Sequence, residues 1–352
     1  MKALVLTRDK LLEYKEVPDP PRPGPEWALI QVAYCGICAS DLHRGFEGGA
    51  YHYPLIMGHE FSGTVLEAAQ GGIEPRTGRL APGAPVAVFP LIPCRRCLPC
   101  QTGDYAQCLN YDYLGSRRDG AFAPLVWAPE TNLLPVPQGV SLRDAATTEP
   151  CAVALHGVSK LTIRPGDCGA VFGGGPIGLM AAQWMRLRGC EPVLVVDIDR
   201  AKLDIARRMG FTTVDPAAGD PAEQIRELSG GDGADRVVEA IGLPVTFLQA
   251  LQCAARFAEV VFLGNIRGTF QVGEKDFSSI LRRELVIRGT WNSRVMPEGR
   301  NDWTTVLSHL REGGNIDVAS LISHVAPLAE GVEVFTRVLG RKEFFNKVLL
   351  AP

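Results

Sequence analysis

The stretch GAVFGGGPIGLMAAQWM, residues 169–185, sets the fold. Four small or apolar residues read as a buried strand, three glycines follow at 173, 175 and 178 in GxGxxG register, and an apolar-periodic helix begins at once. Each glycine has a separate task. Gly173 permits a tight turn, Gly175 lets the backbone approach a pyrophosphate, and Gly178 lets the helix lie close to the strand. With Pro176 and Ile177 between them, they build a helix N-terminus suited to a diphosphate. The next apolar run, PVLVVD, ends at Asp197, about twenty residues on, where a carboxylate accepts hydrogen bonds from an adenosine ribose diol. Such a carboxylate also repels a 2′-phosphate, so the reading is NAD rather than NADP; Arg200, three residues later, is a group that could receive that phosphate. The plainer alternative for Asp197 is a solvated strand-end residue that caps the next helix.

Outward from this turn the same alternation continues. The runs PVLVVD, RVVEAIG and VVFLG are separated by helical segments such as RAKLDIARRMG, which predicts a parallel sheet over about 153–292. Residues 1–152 have another texture, rich in glycine, proline and short runs such as ALVL, WALIQVAY and PVAVF, and read as a β-rich domain. After 293 one helical stretch, NDWTTVLSHLREGG, and the terminal FNKVLLAP are too little for a third domain, so residues 293–352 should return to the first. A chain of 352 residues has room for these two domains.

Composition narrows the function. A net charge of -3 and a pI near 6.1 offer no general attraction for nucleic acid or an anionic membrane, which leaves a small molecule as the expected partner. The start MKALVLTRDK lacks the apolar core and cleavage site of a signal peptide, and no run reaches roughly 18 apolar residues. A cytoplasmic protein is expected. Of the ten cysteines, four crowd together as Cys94, Cys97, Cys100 and Cys108. This C-x2-C-x2-C-x7-C spacing converges four sulfurs from one loop (about 94–108) on a tetrahedral ion and describes a closed structural zinc site. The alternatives are scattered buried thiols or an iron–sulfur cluster. A second constellation is dispersed: Cys38 in CGICASDLHR, His59 and Glu60 in MGHEFSG, and Glu149 in TTEPCAVALHG. Mixed Cys, His and carboxylate ligands suit a catalytic zinc with an open position, but spacing alone does not assemble them.

The order of CGICASDLH, GHExxG, the four-cysteine run, GxGxxG and a strand-end Asp resembles the zinc-dependent medium-chain alcohol and polyol dehydrogenase family over essentially the whole chain. The resemblance implies a GroES-like catalytic domain interrupted by a Rossmann domain, an active site in the cleft between them, two zinc ions per chain, NAD, and a homo-oligomer, dimer or tetramer. It makes Cys38 and His59 catalytic-zinc ligands and Glu60 a glutamate that enters or leaves the metal shell. Glu149 stands where the sorbitol-dehydrogenase-like branch has Glu and classical alcohol dehydrogenases have Cys. Ser40 resembles the family's relay hydroxyl, with His43 as its solvent-facing end, both against the plainer readings of a capping serine and a loop histidine. Asp41 reads as structural. Trp291 and Asn292 are implied cofactor or substrate contacts, or an interdomain packing pair.

Within that branch YHYPLIMGHEFSG, YDYLGSRRDGAF and ILRRELVIRGTWN resemble enzymes of polyol phosphates of the galactitol-1-phosphate type. The expected reaction oxidises a secondary hydroxyl of a polyol or polyol phosphate to a ketose, with Arg117 and Arg118 as candidate phosphate groups unless one pairs with Asp119. Rivals are a threonine or 2,3-butanediol dehydrogenase of the same family and, more distantly, a non-catalytic NAD-binding zinc redox sensor. The complete set Cys38, Ser40, His43, His59 and Glu149 speaks against the last. His52 reads as surface packing or a cleft residue and His156 as helix packing; His309 and His324 carry no motif. Three departures from the family pattern stand out: Gly83-Ala84-Pro85-Val86, the long loop AQGGIEPRTGRLAPG (69–83), and DGAFAP (119–124).

Overall fold

The computed structural model describes residues 1–8, 10–71, 79–295, 301–311, 313–340 and 343–352. The chain divides into two compact units, residues 1–149 with 294–352, and residues 150–293. Residues 72–78 of the long loop at 69–83 lie outside the described residues.

The second unit is a six-stranded parallel sheet. Its strands run in the spatial order Thr212–Val214, Val193–Val196, Gly169–Phe172, Ala234–Glu239, Ala254–Phe262 and Val286–Gly289. Numbered along the chain this order is 3-2-1-4-5-6, the Rossmann arrangement, whose direction of winding reverses at the first strand. Gly169–Phe172 and Val193–Val196 are buried at every position because strands covered on both faces need apolar side chains throughout. The helix Pro176–Leu187 follows the first strand directly. Its proline sits in the first turn, where a missing N–H costs nothing. Gly173 adopts φ +116°, a region that L side chains avoid. A Cβ at Gly178 would penetrate the Gly173 carbonyl oxygen, whereas one at Gly175 would meet nothing within 4 Å.

The first unit is antiparallel in the main. The strand Trp27–Gly36 lies at its centre, paired with Glu60–Glu67, with Leu125–Pro129 and with the terminal strand Lys347–Ala351. Through the pairs Leu349↔Gly36 and Leu350↔Cys35, the terminal strand joins the sheet that Trp27–Gly36 begins. A core of Leu4, Leu6, Ile30, Phe61, Phe122 and Phe335 fills the space beneath. The C-terminal segment holds more structure than its sequence suggested: besides the helix Asp302–His309 it contains the strand Ile322–Pro327 and the helix Gly331–Gly340. The latter, GVEVFTRVLG, is rich in β-branched residues that favour strands, but burying Val334 and Phe335 in the core outweighs that preference.

The two glycines of the turn should separate in a stability measurement. Gly178→Ala is expected to cost about 1–3 kcal/mol by overpacking. Gly175→Ala, at an open N-cap, should stay within about 1 kcal/mol of wild type. Denaturant unfolding of both variants checks this, and equal losses would show that helix and strand are not in close contact at Gly178.

Candidate functional site

Cys38 is placed by a helix cap. It is the N-cap of Ala39–Phe46, its sulfur accepting from the Ser40 N–H at 3.5 Å while Asp41 Oδ2 accepts from the Cys38 N–H at 3.0 Å. This reciprocal arrangement fixes the direction of the sulfur. His59 ends the loop that enters the strand Glu60–Glu67, and the register Gly36↔Glu60 brings that strand's first residue beside the segment leading to Cys38. The ligand atoms of Cys38, His59 and Glu60 consequently all lie within 4.8 Å of one another. Glu149 is not a member of that group. Its carboxylate accepts from the Tyr113 hydroxyl at 3.3 Å, and burial pushes its pKa up to about 7.

Charged side chains support this group. Asp41, fully buried, lies 3.4 Å from His59 Nδ1 and 3.3 Å from Arg44 Nη1. Burial opposes a charge on His59, yet Asp41 and Cys38 raise its pKa well above the ordinary value. A carboxylate at Nδ1 orients the ring so that Nε2 can serve as a ligand. Lys347, also buried, donates to Glu60 Oε2 at 2.5 Å and to the Ile37 carbonyl at 3.1 Å. Burial would strip its proton, but Glu60 and Cys38 hold its pKa above that of a free lysine. With Asp41 balanced by Arg44 and Glu60 by Lys347, the thiol, imidazole and carboxylate of Cys38, His59 and Glu60 form a mixed donor set that fits a zinc ion. Sequence reasoning missed Lys347, whose one signal was a charged residue inside the apolar run KVLL.

Ser40 and His43 share the Cys38-capped helix. The Ser40 hydroxyl is 3.5 Å from Arg44 Nη1, and the half-exposed His43 pairs with Glu47 at 2.8 Å. His52 is engaged as packing, with its two ring nitrogens 3.1 and 3.2 Å from the Pro54 and Arg117 carbonyls. The two arginines differ. Arg118 pairs with Asp112 at 2.8 Å rather than with Asp119, whose Oδ1 accepts from the Ile56 N–H. Arg117 lies between the rings of Tyr51 and Tyr111, at 4.8 and 4.2 Å, and no carboxylate pairs with it among the described residues.

The four cysteines of the lobe form a second group within 4.8 Å. Cys97 caps the short helix Leu98–Gln101, and its sulfur is 3.5 Å from that of Cys100 and 3.8 Å from that of Cys108. A disulfide would need about 2.0 Å. Tetrahedral zinc–thiolate bonds of about 2.3 Å place sulfurs roughly 3.8 Å apart, matching what is seen. An iron–sulfur cluster, which spreads its thiolates over separate irons, needs more room. Backbone N–H groups of Arg96 and Cys97 lower the Cys94 pKa to about 6, while burial raises that of Cys100 to about 12.

In the second unit Gly175 caps the helix Pro176–Leu187 with no side-chain partner, so the N–H groups of Ile177 and Gly178 in the first turn are available to an anion. Asp197, nearly buried, accepts from the Gly174 N–H at 2.7 Å and from the Asp199 N–H at 2.8 Å. Lys202, unnoticed in the sequence, stands 3.7 Å from it. Arg200 is 82% exposed and only loosely paired to Asp215 at 3.7 Å. Trp291 is exposed, and Asn292 turns at φ +54° with its side chain accepting from the Ser293 N–H.

Comparison with known proteins agrees with these features. Residues 24–138 match the alcohol dehydrogenase GroES-like domain and residues 176–312 the zinc-binding dehydrogenase domain. Galactitol 1-phosphate 5-dehydrogenase of Escherichia coli (strain K12) is 32% identical over 356 aligned positions, covering all of both chains. The crystal structure of galactitol-1-phosphate dehydrogenase from Escherichia coli superposes with a TM-score of 0.92 at 30% identity, again over all of both chains. A zinc-binding dehydrogenase from Sinorhizobium meliloti 1021 bound to NADP gives 0.89 at 32% identity, over 100% of this chain and 99% of that one. On the combined strength of the two domain matches, the full-length likeness and the Cys38–His59–Glu60 group, the chain is an oxidoreductase of the zinc-dependent medium-chain alcohol and polyol dehydrogenase family.

Proposed function

We propose that the protein oxidises a secondary hydroxyl of a polyol or, more specifically, a polyol phosphate of the galactitol-1-phosphate type to the ketose, with NAD as acceptor. The observation that carries this reading is the compact Cys38–His59–Glu60 group, charge-balanced by Lys347, in a chain whose full-length relative acts on galactitol 1-phosphate. Cys38, His59 and Glu60 would hold the catalytic zinc, with Glu149 beside them as a carboxylate able to join or to hold a water; Cys94, Cys97, Cys100 and Cys108 would hold the structural zinc. Bound there, zinc supplies the Lewis acidity that makes a substrate hydroxyl acidic, and NAD supplies the hydride acceptor. Ser40 takes the hydroxyl proton and His43, half-exposed, passes it to solvent. Lys347 restrains Glu60, so exchange of that carboxylate in and out of the metal shell works against an ion pair. Gly175, Pro176, Ile177 and Gly178 receive the diphosphate, and Asp197 the ribose diol, while exposed Arg200 leaves some tolerance for NADP.

The phosphate end of the substrate is assigned to Arg117, whose guanidinium is held flat by two tyrosines and lacks a carboxylate partner, and not to Arg118, which Asp112 already engages. A homo-oligomer fits the exposed edge strand Val286–Gly289 and the outward Phe277 and Leu281 of the helix Glu274–Arg282. No described helix is long and apolar enough to cross a membrane. The ten free cysteines suit the reducing cytoplasm.

Three outcomes test this reading. Mild chelation should abolish turnover while the four-thiolate zinc remains, because the closed site offers no entry to a competing ligand; metal analysis showing a single kind of zinc that persists in inactivated protein would overturn the assignment. Asp197→Ala should lower the NAD to NADP ratio of kcat/KM by about tenfold or more through loss of the ribose acceptor and of repulsion toward a 2′-phosphate; an unchanged ratio would remove Asp197 from the cofactor site. Arg117→Ala should raise KM for galactitol 1-phosphate by about tenfold to a hundredfold, the weight of a charged hydrogen bond, and leave galactitol little changed, with Arg118→Ala affecting neither. Equal efficiency of the enzyme on the two polyols would point instead to an unphosphorylated substrate.

A further inference from the structure

Glu239 is a fully buried carboxylate outside both metal groups. It ends the strand Ala234–Glu239, in register with Phe172 on one side and Phe262 on the other, so it stands in the row of residues just before the glycine turn. Its Oε1 collects three donors: the Ile241 N–H at 3.0 Å, the Gly242 N–H at 2.8 Å and the Thr246 hydroxyl at 2.7 Å. Its backbone carbonyl takes two more, the Leu263 and Gly264 N–H groups, both at 2.9 Å. Oε2 packs against Gly264 so closely that a Cβ there would be 2.5 Å away. Burial raises the acid's pKa, and its hydrogen bonds offset only part of that rise. The residue thus ties two loops: its side chain holds 240–243 and packs on Gly264, its backbone carbonyl bonds 263–264, and the loops touch each other, since Gly242 turns at φ +85° and a Cβ on it would strike the Asn265 carbonyl.

The position of these loops gives them a use. In a doubly wound sheet a dinucleotide lies across the carboxyl ends of the strands, at the point where winding reverses. Here the helix N-terminus at Gly175 fixes the diphosphate, and Asp197 lies on the Val193–Val196 side. The adenosine half goes to that side, so the nicotinamide half must extend the other way, over the ends of Ala234–Glu239 and Ala254–Phe262. Those ends are the loops that Glu239 ties together, and Ile241 already packs against Gly173, its Cγ1 3.1 Å from where a Cβ would stand.

We propose that Glu239 is a positioning residue for the nicotinamide half of the cofactor, holding the 240–243 and 263–265 loops in the shape that receives it. The proposal rests on the dinucleotide reading of the glycine turn. A residue acting on one half of a ligand has a signature that general destabilisation lacks. In Glu239→Ala enzyme, fluorescence titration should show NADH binding weakened tenfold or more, whereas AMP, which occupies the adenosine half alone, should compete within twofold of wild type. Glu239→Gln, whose amide oxygen can take the three donors, should restore most of the NADH affinity. If the alanine variant does not fold, Thr246→Val removes a single donor and should give a smaller loss of NADH affinity, again without affecting AMP. Equal loss of NADH and AMP, or loss of neither, would overturn the proposal while the cofactor reading stood. Wild-type enzyme that bound neither NADH nor AMP would overturn both.

Discussion

The contact between Lys347 and Glu60 is the constraint on which the first unit depends. A buried carboxylate beside a cysteine loses its hydration, and uncompensated buried charges cost several kcal/mol each. The cation that offsets them comes from the last strand of the chain, 287 residues from its partner. That strand reaches the site only because it pairs with Trp27–Gly36, whose end leads into Cys38. Closing the sheet and balancing the charge of the site are one event, which explains why the chain must come back to its first domain after building the second.

The two clusters show how similar ligand-bearing side chains can be arranged in two ways. In the cysteine lobe every ligand is a thiol from one short loop, backbone N–H groups already lower the pKa of Cys94, and no position is left open. In the Cys38 group the ligands are of three kinds and come from separate elements. Two of them have a buried charged partner, Asp41 3.4 Å from His59 and Lys347 on Glu60, which restrains their orientation.

The glycine turn and the cysteine lobe were legible in the sequence because their geometry is local. A positive φ at Gly173, close packing at Gly178 and four sulfurs converging from one loop follow from spacing, since the residues concerned are covalent neighbours within a few turns. The parallel sheet was legible for a related reason: strands covered on both faces must be apolar throughout, and those runs stand out between helical segments. The helix Gly331–Gly340 was not, because its β-branched residues disguise a helix whose stability comes from burying Phe335.

By itself, then, the sequence determined what neighbouring residues can do together: the glycine turn, the four-thiol lobe, the parallel sheet. Tertiary structure alone decided which distant groups meet. It drew Cys38, His59 and Glu60 into one cluster, left Glu149 on Tyr113 and brought Lys347 to Glu60. The reason is physical. Local hydrogen-bonding patterns repeat with the period of the chain and can be read along it, whereas strand register and the pairing of buried charges depend on contacts between segments far apart in the sequence, for which no periodic signal exists.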